Sequence, residues 1–344
     1  MKEVKFKLII SIIFMTMVTS LIFSGCEGAV SIEGSQLRKV EHATKEVLEE
    51  EKNIEFTPEG SLPIGSFVLF GKYQVESEEP VPILWKVIEN KSHYKGNVNP
   101  DLKHLTLLTE YIIDMRGFDA AEPESDWEFR AKYGNNRYRF SNIRQWLNSD
   151  KKANDWWEPK HETDSPPLDE NFESGRETGY EDKNGFLSNF SSAELDLILD
   201  TTLECGINEN ADGGGTEMLT DKFFLLSLTE IGLSEEESKY YFEGNPFAIF
   251  NSFDSRKALV SSACYKNTNS LRIPGTPEDY WDWWLRSPYS WGEYDVWYID
   301  ELGKAEHRRA YIDAQGLRPA VNIRYEGLSF SGSGTIDDPY VINS

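Results

Sequence analysis

Five histidines, at positions 42, 93, 104, 161 and 307, three cysteines and 59 carboxylates are the groups in this 344-residue chain that could hold a metal or move a proton. No two histidines stand at metal-ligand spacing, and no HExxH, paired CxxC, glycine-rich phosphate loop or G-x-S-x-G elbow occurs. His161 lies beside Glu162 and Asp164, which reads better as a solvated charged loop than as a ligand set. Asn208-Glu-Asn-Ala-Asp-Gly213 matches the first half of a calcium loop, but its twelfth position is Leu219 instead of a bidentate carboxylate. An ordinary Asn/Asp/Gly turn is the stronger reading. General acid and base carboxylates cannot be singled out among so many. The expectation is therefore no catalytic residue, no metal and no cofactor.

The aromatic residues are the feature that asks for an explanation. Half of the ten tryptophans, Trp281, Trp283, Trp284, Trp291 and Trp297, fall within seventeen positions, together with Tyr280, Tyr289, Tyr294 and Tyr298. Such rings serve cores, and they also serve as exposed stacking platforms. Trp283, Trp284 and Leu285 precede Arg286-Ser287-Pro288 in what reads as a buried strand, so those two rings are assigned to packing. Tyr289 to Tyr294 is a polar loop with Gly292 and Glu293. The ligand-binding expectation falls on Trp291, Tyr294 and Trp297 there, and on Trp156 and Trp157 in a second polar segment. Arg144, Arg286 and Arg318 sit in otherwise apolar stretches beside Trp146 and the Trp283-Trp284 pair. A guanidinium in such a place needs a partner. Structural ion pairs are expected, with recognition of an anionic ligand left open.

The elements that must position these residues are short. Gly65 to Tyr73 and Ile83 to Ile88 read as a hairpin, and Leu105 to Leu108 as a third strand. Ser141 caps a helix to Asn148, Ser191 or Ser192 one to Leu199, and Ser255 to Cys264 makes a third. Strands follow at Phe223–Ser227, Trp283–Arg286, Val296–Asp300 and Arg318–Arg324. Between Asp150 and Gly185 lies a polar insertion with Trp156-Trp157 and Pro166-Pro167, too long for a plain connection. The pattern predicts an α+β domain of short, mostly antiparallel strands, a few helices and long loops.

Charge and the N-terminus set the context. Lys plus Arg number 35 against 59 Asp plus Glu, a formal charge of −24, which argues against nucleic acid as a partner. Lys2, Lys5 and Lys7 precede an apolar run from Leu8 to Phe23, a secretory signal in form. Phe23-Ser24-Gly25-Cys26 resembles the bacterial lipobox, with Phe23 where Leu is usual, so Cys26 is the expected lipidation site. Cleavage there would remove three Lys and one Glu, taking the charge from −24 to −26. The expected organisation is a signal over 1–25, an acidic tether over 26–60 and the α+β domain over 61–344, with its insertion at 150–185. Cys205 and Cys264 could pair in an oxidising compartment. Two buried free thiols are the stronger reading.

Seven motifs in order resemble an uncharacterised bacterial domain family of unknown function found on secreted proteins and lipoproteins. They are Gly65-Ser-Phe-x-x-Phe-Gly-x-Tyr73, Pro82-Ile-x-Trp85, Ile143-Arg-x-Trp-Leu-Asn148, Phe186-Leu-x-x-Phe190, Asp221-Lys-x-Phe-Leu-Leu-Ser227, Trp283-Trp-Leu-Arg-Ser-Pro288 and Gly316-Leu-Arg-Pro-Ala320. The last two also look like closing strands of C-type-lectin-like and formylglycine-generating-enzyme-like domains. That resemblance implies a compact domain with binding loops, and the catalytic cysteines and metal motifs of those proteins are not recognisable here. Gly332 to Val341 looks like a tail that adds a short strand. The expected function is a lipid-anchored, extracytoplasmic, non-catalytic binding module of a Gram-positive-type bacterium, recognising a glycan or protein through aromatic loops. Its rivals are an envelope glycan- or peptide-modifying enzyme using carboxylates, and a structural envelope protein.

Overall fold

β-Branched and aromatic runs build the first hairpin, with burial alternating along each strand. Strand β1 (Phe67–Tyr73) and strand β2 (Val81–Glu89) pair antiparallel and turn Val68, Phe70, Ile83, Trp85 and Val87 inward. The register shifts between Leu69 and Lys72, at a bulge that Gly71 makes with φ +68°. A Cβ at Gly71 would collide with the Phe190 ring, so the Gly-x-Tyr73 motif records both a backbone angle and a ring contact. The computed structural model describes residues 62–343 apart from 77–78, 91–103, 123–135, 174–178, 234–242 and 313–314. The expected signal, Cys26 and the tether lie outside the described residues, and residues 55–344 form one compact unit.

Strand β3 (His104–Thr109) is buried along its whole length. The remaining strands are β4 (Asp114–Met115), β5 (Thr201–Gly206), β6 (Thr216–Asp221), β7 (Phe223–Phe224), β8 (Trp283–Pro288), β9 (Asp295–Ile299), β10 (Ala305–Arg309), β11 (Gly316–Leu317), β12 (Ala320–Arg324), β13 (Ser329–Ser331) and β14 (Tyr340–Asn343). A seven-stranded sheet runs β13-β14-β1-β2-β3-β12-β7, a five-stranded one β10-β9-β8-β11-β4, and β5 pairs with β6 alone. Pairing is antiparallel except at β1 with β14 and β8 with β11. The C-terminal tail thus supplies two strands to one edge of the large sheet.

Among the described residues five short helices join the strands: α1 (Asn142–Leu147), α2 (Ser192–Leu195), α3 (Glu209–Asp212), α4 (Phe253–Arg256) and α5 (Ser262–Asn267). Ser141 caps α1 by accepting from the Arg144 amide, and Ser191 with Glu194 closes a capping box on α2. The helix expected over Ser255 to Cys264 is two helices. Leu259 and Val260 between them are drawn into bridges with Tyr280 and Ile112, and tertiary pairing outweighs the local helical pattern. The second predicted helix stops at Leu195, and Ile198 bridges Ile323 instead. The predicted strand from Phe223 to Ser227 is regular only at its first two residues. The β5–β6 hairpin was not foreseen. Short, mostly antiparallel strands with few helices make this an α+β domain, and no helix among the described residues is long and apolar enough to cross a membrane.

The insertion at 150–185 corrects the sequence reading. It forms no strand among its described residues, yet it sends Trp156, Phe172 and Tyr180 into the core. Trp146 meets Tyr180 and Phe186 at ring-centroid distances of 5.5 and 5.2 Å, and Trp156 meets Tyr180 at 5.7 Å. The segment is a core-bearing arm, not a purely surface loop. Cys205 and Cys264 are both buried and unpaired with each other, and burial raises both thiol pKa values.

Candidate functional site

The loop from Tyr289 to Tyr294 closes β8 onto β9. The Tyr289 amide donates to the Asp295 carbonyl at 2.9 Å, just beyond the Pro288–Val296 pair. A six-residue loop leaves backbone carbonyls without ladder partners, and three asparagine side chains supply donors. Asn136 Nδ2 donates to the Gly292 and Asp295 carbonyls at 2.8 and 3.0 Å. Asn208 Nδ2 reaches the Tyr289 and Gly292 carbonyls at 2.8 and 3.0 Å, and Asn210 Nδ2 reaches the Ser290 carbonyl at 3.1 Å. Asn208 also caps α3, its Oδ1 accepting from the Ala211 amide at 2.9 Å. The half calcium motif is therefore a helical turn whose first asparagine faces the neighbouring loop.

Beneath the loop, the Tyr289 and His307 rings stack at 3.7 Å with 3° between their planes. The Trp297 ring stands edge-on to both, at 5.2 and 5.9 Å. His307 Nδ1 lies 3.0 Å from Asp295 Oδ2, which ties β10 to the loop's far end. On this base Trp291 is 67 % exposed. The loop thus presents an indole to solvent from a backbone whose carbonyls are held by side-chain donors.

The expected contact residues separate. Trp291 lies at the surface and Tyr294 is half-buried in the same loop. Trp297 is buried under the loop and cannot present a face. Trp156 is also buried, with Nε1 donating to the Lys183 carbonyl at 2.9 Å. Trp157 is half-buried, packed against the core, and its Nε1 finds no partner. The reason is the same for Trp156 and Trp297: each ring fills a gap between elements that local sequence does not reveal.

The motif residues hold the frame. Trp146, Trp283 and Trp284 are fully buried, and each indole donates to a backbone carbonyl, of Asn184, Arg256 and Arg116 respectively. Arg144 makes a two-pronged pair with Asp221, at 2.9 and 2.7 Å. Arg286 does the same with Glu230, at 2.6 and 2.9 Å, and both side chains are fully buried. Around that pair Ser287 donates to Glu243, whose carboxyl pKa burial raises. Arg318 departs from the expected ion pair: it donates to the Thr109 and Glu110 carbonyls and meets no carboxylate among the described residues.

Sequence reasoning missed a second charged group. Asp114 on β4 accepts from Tyr73 and from Arg116 Nε, while Arg116 Nη2 and Lys183 Nζ share Glu76 at 2.7 and 3.3 Å. Burial opposes the Asp114 carboxylate, yet Arg116 and Lys183 bring its pKa below the usual value. Tyr73, Glu76 and Lys183 of this network line a polar cleft of about 500 Å³, with Gln74, Asn184 and Asn267 along it. Two acids balance two bases there, which is what an internal structural network needs. The Tyr73 in its motif was the one available signal. His161, read as solvated, is instead held 3.0 Å from the buried Glu122.

No curated protein and no solved structure matches the chain. A family model does: the domain of unknown function DUF6273, over residues 103–325, about two thirds of the chain. The matched span holds the motifs from Ile143 to Ala320 and stops short of the Gly65–Tyr73 and Pro82–Trp85 motifs in the first hairpin. It includes the Trp291 loop, the asparagines that hold it and all three motif arginines, and by this match over more than half of its length the chain belongs to the DUF6273 family.

Proposed function

We propose that this chain is a lipid-anchored, extracytoplasmic, non-catalytic binding module of a Gram-positive-type bacterium that recognises a glycan or protein through the Trp291 loop. The observation that carries the reading is a 67 % exposed indole on a loop whose carbonyls are held by Asn136, Asn208 and Asn210. Exposed tryptophans are prime anchors of interfaces, and a fixed one loses little entropy on binding. The lipobox-like Cys26 and the acidic balance of the chain support an anchored surface location. A C-type-lectin-like arrangement, with long loops gathered for binding on a small α+β frame, fits the same reading.

The test is an array of bacterial envelope glycans and surface proteins probed with the domain from residue 27 and with its Trp291→Ala variant. The expected result is a ligand that the variant loses while its melting temperature stays that of the parent. Absence of any ligand, or binding that survives the substitution, overturns the reading.

A further inference from the structure

The three motif arginines are not equivalent. Arg144 and Arg286 each grip a carboxylate with two bonds, and Arg116 bonds to Asp114 and Glu76. Arg318 is 4 % exposed and has none among the described residues. Its Nε donates to the Thr109 carbonyl at 3.0 Å and its Nη2 to the Glu110 carbonyl at 3.3 Å, while Nη1 is buried with no hydrogen-bond partner. The guanidinium lies 4.8 Å from the centre of the Trp283 ring. Burial pushes its pKa down to about 10, with only Glu110 acting the other way. A buried cation without a counter-charge is costly, and a protein keeps one where something else supplies the charge.

Arg318 lines a cleft of about 290 Å³ between the β3 end, the α4 segment and Tyr280. That is the lower end of the size range for small-molecule sites. The carboxylates lining it are already engaged: Glu110 with Lys86 at 2.7 Å, and Asp254 with Lys257 at 2.8 Å. Three cationic side chains therefore face two anionic ones, leaving one positive charge in a chain whose net charge is −24. Apart from Ser255, the rest of the lining is apolar or aromatic, with Tyr111, Ile249, Phe250 and Tyr280. Lys257 Nζ sits 5.3 Å from the centre of the Tyr280 ring, and that ring is 44 % exposed.

We infer that this cleft is a binding site for a small monocarboxylate with an apolar or aromatic body, whose carboxylate is the missing partner of Arg318. The single unmet charge matches a monoanion and not a phosphate dianion, and a planar carboxylate suits a guanidinium fork. The body lies along Phe250 and Tyr280. The site is separate in residues from the Trp291 loop, so its fate does not depend on the binding function proposed there.

The test is ligand-detected saturation-transfer NMR and calorimetry on the domain from residue 27, using phenylacetate, hexanoate, neutral phenylacetamide and inorganic phosphate. Phenylacetate is expected to bind about tenfold or more tighter than phenylacetamide, and phosphate not to compete. Arg318→Gln should abolish the preference for the acid over the amide. Should that variant fail to fold, Tyr280→Ala at the open rim is the second probe: it should weaken both ligands severalfold and keep the acid preference. Equal binding of acid and amide, displacement by phosphate, no binding of phenylacetate or hexanoate at 10 mM (about the weakest useful limit of such measurements), or an unchanged Tyr280→Ala would each overturn the inference.

Discussion

Strand β8 and the loop that follows it are neighbours in sequence and opposites in burial. Trp283, Trp284, Leu285, Arg286 and Ser287 are all buried, and every indole and guanidinium edge that needs a partner has found one except Arg286 Nε. Four residues after Ser287, Trp291 stands mostly in water. Both stretches are rich in aromatic residues, so aromatic density alone does not separate core from surface. What separates them is who satisfies the backbone. In β8 the ladder to β9 and β11 does it, and the side chains are free to fill the interior. In the loop, side chains of other segments do it, and the loop's own indole is left outside.

That contrast is broken most severely at Arg286. Arg286→Met leaves Glu230 buried without its counter-charge and should cost about 3–5 kcal/mol, read as a large fall in the denaturant midpoint. Glu230→Leu added to it removes the stranded charge, so the double variant should recover part of the loss. A double variant less stable than the single one would mean that the pair is not what makes the strand's interior tolerable.

The next effect belongs to the loop's supports. Asn208→Ala removes a helix cap and two donors to loop carbonyls at once. A loss of about 2 kcal/mol is expected. Hydrogen exchange should rise at residues 289–294 and not in β8. Uniform loosening of both regions would erase the distinction between ladder-held and side-chain-held backbone.

Asp282 marks the start of the buried strand and sharpens the comparison through pH. Burial, with Glu301 adding like charge, pushes its carboxyl pKa up to about 7 from 3.8. Below the unfolded value both states hold the proton and its contribution is fully present. As pH rises toward 7 the unfolded chain gives up its proton first, so stability is lost across that window. Asp282→Asn should match the parent near pH 4 and exceed it at pH 8. The side chain is half-buried and solvent screens it, which reduces the expected gain to about 1 kcal/mol. Parallel pH profiles for the two proteins would refute the shift.

Much of the frame was legible because it obeys local rules. The β1–β2 hairpin shows in its β-branched and aromatic runs bounded by glycine, α1 announces itself by Ser141, and Trp283-Trp284 reads as buried from its apolar run. The partners were not legible. Asp221 and Glu230 lie 77 and 56 residues from the arginines they hold, and nothing local distinguishes them among 59 acids. The core role of the insertion escaped for the same reason: Trp156, Phe172 and Tyr180 have no period, and their burial is decided by Trp146 and Phe186 across the fold. The β5–β6 hairpin escaped because its polar residues alternate on an open face, which weakens the apolar signal. Of the expected contact residues, Trp291 is exposed, Tyr294 and Trp157 are half-buried, and Trp156 and Trp297 are buried. A polar loop beside a buried strand is a local pattern, whereas the burial of Trp156 and Trp297 is a tertiary one.

Trp291→Ala is the smallest expected perturbation of the fold and the most informative about it. An indole two-thirds in water makes little of the core, so stability should change by no more than about 0.5 kcal/mol. The same substitution should lower the iodide-quenchable tryptophan fluorescence, because Trp85, Trp146, Trp283 and Trp284 are sealed inside and Trp156 and Trp297 nearly so, while the half-buried Trp157 and Trp281 keep a share of it. Trp297→Phe gives the reciprocal outcome: it leaves iodide quenching almost unchanged and costs stability, since the ring it trims supports the Tyr289–His307 stack. If Trp291→Ala destabilises the domain by as much as Trp297→Phe, the indole at 291 packs inward in solution. The loop would then be an ordinary strand connection, and its asparagine supports would serve folding alone.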